Sequence, residues 1–133
     1  MDKLSYPEFS VDLVEACLRF GYYFEGMNKE NVTRLVDQYK KFWFMIKKYP
    51  DRSFAPNTEI DEVWHLHMLL PQNYYYDCMS YFGIILAHDA GFGNQANEVD
   101  KLNEIFDSGN DLWEKEFGFR LPDENELERK TKI

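Results

Sequence analysis

Residues 29–49, KENVTRLVDQYKKFWFMIKKY, place Val32, Leu35, Val36, Tyr39, Phe42, Trp43 and Ile46 at intervals of three and four without a gap. At 3.6 residues per turn these seven side chains share one face of a helix. A face that apolar and that bulky has to be covered, so the chain is expected to gather other helices around it. Asn28 can cap the start, Met27 can staple onto Val32, and Pro50 ends the run.

Four further segments carry the same period. Residues 7–25 open with Pro7 at a first-turn position and carry Val11, Val14, Cys17 and Leu18, with Gly26 as the stop. Thr58 and Asp61 fit a capping box for a third helix whose apolar face is Ile60, Val63, Trp64 and Leu70, and Pro71 breaks it. A fourth helix is predicted over about 72–87, through YYYDCMSYFGIILA, followed by a loop containing Gly91 and Gly93. A fifth, about 97–118, carries Val99, Leu102, Ile105, Phe106, Leu112, Trp113 and Phe117, with Gly118 as its C-cap. The end, 121–133, is polar and reads as a frayed tail. No strand pattern is visible. The expectation is an all-α, single-domain bundle of about five helices over residues 1–133.

Charge narrows the partners. Acidic residues outnumber basic ones 24 to 15, a net charge of −9. A duplex-binding surface needs the opposite balance, so nucleic acid is rejected as the main partner. The lysines of KKFWFMIKK, residues 40–48, are separated by apolar residues at helical spacing and read as the solvated edge of a helix. No leader opens the chain and no apolar run reaches the length of a membrane span. Two cysteines are too few for a disulfide scaffold, so the default compartment is the cytoplasm, with leaderless export left open. An acidic surface bearing aromatics suits a protein partner.

The chain has three histidines, and two stand in IDEVWHLHMLL, residues 60–70. His65, His67, Cys78 and His88 are the ligand types zinc prefers. Spacing argues against the simplest version, because residues two apart on a helix point about 200° away from each other. His67 falls on the core face, where the ordinary role is a hydrogen-bonded core histidine. His65 falls beside Asp61 at i, i+4, where the two can pair. Folding the third helix back at Pro71 brings His65 level with Cys78. His88, ten residues on along a continuous helix, would lie about 15 Å further along the axis. That position is near the Phe54–Thr58 loop and away from His65, unless the helix breaks around Gly83. Cys78 reads by default as a small buried hydrophobe, and His88 with Asp89 as a helix C-terminal cap.

These residues also carry a likeness. Pro56, Asp61, Trp64, His65, His67, Tyr74, Cys78, Phe82, Gly83, His88 and Asp89 follow the order Pro, Asp-x-x-Trp-His-x-His, Tyr-x-x-x-Cys, Phe-Gly, His-Asp. In that order the chain resembles the glycine-rich-domain-containing-protein-like family, best over a core of residues 39–93. The resemblance implies a helical module found in bacteria and within larger plant proteins. It implies that Asp61, His65, His67, Cys78 and His88 form a set, and it brings no substrate. The glycine-rich tail that names the plant members is absent.

Three readings follow, in this order. The first is a binding or interaction module whose polar set is mostly structural. The second is a zinc-binding domain around His65 and Cys78, completed by His67, His88 or Asp61. The third is an enzyme with Cys78 as nucleophile, His65 as base and Asp61 orienting it. No oxyanion donor is evident beside Cys78, which places an enzyme last.

Overall fold

The computed structural model describes residues 4–88 and 96–122. Among them are five α-helices and no strand: α1 (Leu13–Phe20), α2 (Lys29–Lys48), α3 (Thr58–Met68), α4 (Pro71–Phe82) and α5 (Ala96–Phe117), with a 3-10 turn at Tyr22–Phe24 after α1. The all-α, five-helix expectation stands. Asp89, the loop with Gly91 and Gly93, and the tail from 123 onward lie outside the described residues.

α2 is the axis of the bundle. Its expected stripe is buried from Val32 to Trp43, and α1 and α3 pack against it. Each such side chain contributes about 1.5–3 kcal/mol by leaving water. Phe44 is buried on another face, against Tyr6 and Phe117 of α5 (ring centroids 4.8 and 6.1 Å). Asn28 caps α2 as expected, its side chain accepting from the Asn31 N–H.

Several boundaries differ from expectation. α1 starts at Leu13 under an Asp12 cap and ends at Phe20, where Gly21 caps it and the 3-10 turn takes over. The expected run over 7–25 with Gly26 as its stop is thus corrected at both ends, and the segment before Leu13 is irregular. It still joins the core, since Phe9 packs on Tyr39, Trp43 and His67 at 5.0–5.3 Å. The cap of α3 is Asn57, whose Oδ1 accepts from the Ile60 N–H at 2.9 Å, so Thr58 is the first helical residue. Most consequential, α4 ends at Phe82, with Gly83 in the left-handed region at φ 76° as its C-cap. The predicted continuation to residue 87 is therefore corrected. Beyond Gly118, Leu121 is buried, its N–H and C=O both bonded by the Asn110 side chain.

Candidate metal centre

Gly83 decides where the third histidine goes. Turned back at this residue, the segment 84–88 lies over α4. The Leu86 C=O accepts from the Tyr74 hydroxyl at 2.6 Å, and the Leu86 N–H lies 3.5 Å from Cys78 Sγ. Tyr74 in turn accepts from the Trp64 indole N–H at 2.9 Å. These contacts seat His88 edge-on against Trp64, ring centroids 4.3 Å apart, and beside the His65 ring at 4.6 Å. His88 borders the same cleft as Phe54 and Thr58, as the hairpin argument expected. The expected separation of His88 from His65 is overturned, because the helix does break at Gly83.

Asp61 approaches both rings at their Nε2 atoms. Its Oδ1 is 2.6 Å from His88 Nε2 and its Oδ2 is 3.5 Å from His65 Nε2. The i, i+4 approach of Asp61 and His65 on α3 follows from the helix period. One ligand atom from each of Asp61, His65 and His88 lies within 4.8 Å of the others, a spacing that could hold a metal ion. The His65 side chain is 40% exposed, Asp61 31% and His88 8%, so the group opens to solvent on one side. It forms part of the wall of a cleft of about 380 Å³ between the Phe54–Thr58 loop and α5. His88 Nδ1 is buried without a hydrogen-bond partner among the described residues. Unsatisfied buried nitrogens are uncommon in folded proteins.

The other two candidate ligands go elsewhere. His67 is fully buried, with Nδ1 2.8 Å from the Tyr39 hydroxyl and Nε2 2.9 Å from Asp77 Oδ2. Both its nitrogens are thus engaged within the core. Asp77 Oδ1 also accepts from the Ser10 N–H at 2.9 Å. Burial pushes the His67 pKa down, against the pull of Asp77. Asp77 escaped the sequence reading. Its signal was present, since it falls three residues after Tyr74 and four before Tyr81, on the face of α4 that meets the core.

Cys78 is also fully buried, and burial pushes its thiol pKa up although the Leu86 N–H and Tyr74 act to lower it. A thiolate nucleophile needs the opposite environment. Neither a zinc site built around His65 and Cys78, with or without His67, nor a Cys78 nucleophile finds support in this arrangement, which groups His65 with Asp61 and His88 instead. What Cys78 does physically is accept from the segment that carries His88.

No family model matches the chain, and no solved structure matches it. Among curated proteins it is 29% identical over 119 residues to Glycine-rich domain-containing protein 1 of Arabidopsis thaliana, covering 82% of this chain. The chain spans 14% of the length of that relative. The comparison supports the likeness to glycine-rich domain-containing proteins: this chain is similar to one segment of a much longer plant protein of that description.

Proposed function

We propose that the protein is a metal-binding helical module that holds one zinc ion on Asp61, His65 and His88. The observation that carries this reading is the convergence of one carboxylate and two imidazoles within 4.8 Å, two of them from α3 and the third from the segment that follows the Gly83 turn at the end of α4. Nitrogen and oxygen donors of these types suit zinc, and three protein ligands leave a coordination position open. The exposure of His65 and the adjoining cleft favour that open position facing solvent. The competing account is a carboxylate bridging two histidines for structural reasons alone.

The experiment is calorimetric titration of the chelator-treated full chain with zinc. One equivalent should bind to the wild type, and Asp61→Asn, His65→Ala and His88→Ala should each weaken it at least tenfold, while His67→Gln should not. Equal affinity across all five proteins would overturn the reading.

A second reading, a protein-interaction face, is favoured by a separate observation. Tyr75, Tyr76 and Met79 on α4, with Ile84, Ile85 and Leu69 nearby in sequence, are exposed apolar residues. Cys17 and Cys78 are both free and buried, which suits a reducing compartment such as the cytoplasm. The described helices include none long and apolar enough to cross a membrane. The acidic balance still argues against a nucleic-acid partner.

A further inference from the structure

We propose that the cleft beside Asp61, His65 and His88 binds a small monoanion with an apolar body, an alkyl or aryl monocarboxylate, its carboxylate at the open metal position. The inference rests on the metal reading and goes beyond it by assigning the ligand class.

Size comes first. A cleft of about 380 Å³ falls in the range of small-molecule sites and is too small for a folded partner. The lining is mainly apolar away from the metal group, with Phe54, Pro56, Leu102 and Ile105 contributing. Its uncharged polar members are few. Asn57 is already committed, its Oδ1 to the Ile60 N–H and its Nδ2 to the Pro122 C=O. That leaves the hydroxyls of Ser53 and Thr58 to orient a ligand.

Charge then fixes the ligand. Among the described lining residues there is no Lys or Arg. A dianion such as a phosphate ester would therefore find no second cation in the wall. A divalent ion on one ionised carboxylate and two neutral imidazoles carries a net charge of +1. One monoanionic group cancels it, and a carboxylate oxygen is a donor that zinc accepts. A neutral apolar ligand would leave that charge uncompensated in a partly enclosed site. A cationic ligand would be repelled. The apolar body follows from the rest of the lining, to which α5 contributes Leu102 and Ile105.

The test uses the full chain, zinc-loaded and chelator-treated, titrated with acetate, propanoate, butanoate, pentanoate and hexanoate. Zinc stoichiometry is measured separately on the same preparations. Binding should require zinc, and affinity should rise about fourfold for each added methylene, the factor set by burying one such group. Ile105→Asn and Leu102→Asn should bind zinc as the wild type does and flatten the chain-length series. Either variant suffices if the other fails to fold. Zinc binding without carboxylate binding, or a series of equal affinities, would overturn this inference and leave the metal reading standing. A chain-length trend that survives in both variants would also overturn it. Failure to bind zinc at all would overturn both.

Discussion

The hydroxyl of Tyr39 lies 2.8 Å from Nδ1 of His67 at the centre of the bundle, and neither residue has exposed surface. Burial holds the Tyr39 pKa well above its ordinary value, so the phenol keeps its proton and donates it. His67 Nδ1 is then the acceptor, which leaves the ring proton on Nε2, donated to Asp77 Oδ2 2.9 Å away. The Ser10 N–H completes the run at Asp77 Oδ1. Four segments of the chain are tied through one neutral imidazole.

Lowering the pH should therefore destabilise the fold through His67. Its folded pKa is depressed by burial, so below the unfolded value near 6.5 the unfolded chain binds a proton that the folded one does not. The contribution is complete above about pH 6.5 and is lost as pH falls toward the folded pKa, with a slope of at most about 1.4 kcal/mol per pH unit. Urea titrations between pH 7.5 and 5 check this, read as the difference between wild type and His67→Gln. A difference that grows as pH falls would show that His67 is instead charged in the core.

His67→Ala and His65→Ala should part company in stability. The first leaves the Tyr39 hydroxyl and an Asp77 oxygen buried without their partner, at a cost of about 2–5 kcal/mol. The second removes a side chain that is 40% exposed, and should cost within about 0.5 kcal/mol. Chemical denaturation of the chelator-treated proteins makes the comparison without any metal contribution.

Trp64→Ala should cost about 3–5 kcal/mol, the range for truncating a buried aromatic. Trp64 is 6% exposed, packs on Phe42 at 5.5 Å, and donates to Tyr74. An unchanged urea midpoint would place the ring outside the core.

How much of this was legible depends on what each signal measures. The α2 stripe was, because periodicity reports burial directly. The core role of His67 and the Asp61–His65 approach were legible for the same reason, each being a statement about one helix. Phe9 was not, since its packing against Tyr39 and His67 comes from an irregular segment with no period to read. Asp77 was overshadowed by its neighbour Cys78, the residue with the more suggestive chemistry. The position of His88 depended on whether one helix stopped at Gly83 or ran on through GIILA, whose composition is apolar enough for either. The stop wins because Tyr74 and Cys78 engage Leu86 only if the chain reverses.

Both cysteines should be inert in the folded protein. Burial pushes the Cys17 thiol up to about 12 and raises that of Cys78, so neither supplies thiolate near neutral pH. A disulfide reagent at pH 7.5 should modify them only at the rate of unfolding, and urea should accelerate both together. Rapid reaction of Cys78 alone would reinstate the activated-thiol reading.

The sharpest test of the site is a glycine that touches none of it. Gly83 has φ 76°, and no atom of the described residues lies within 4 Å of where a Cβ would stand, so the cost of Gly83→Ala is the strain of the left-handed backbone, about 1–2 kcal/mol. That strain favours running α4 on as a helix, which would carry Leu86 off Tyr74 and Cys78 and His88 away from Asp61. Gly26 offers a matched control, with φ 83° and equally open space, distant in sequence from the three ligands. Gly26→Ala and Gly83→Ala should therefore shift the urea midpoint by similar amounts. Only Gly83→Ala should weaken zinc binding, by tenfold or more, measured by the same calorimetric titration. Equal zinc affinity in the two variants would mean that the reversal at Gly83 does not assemble the site.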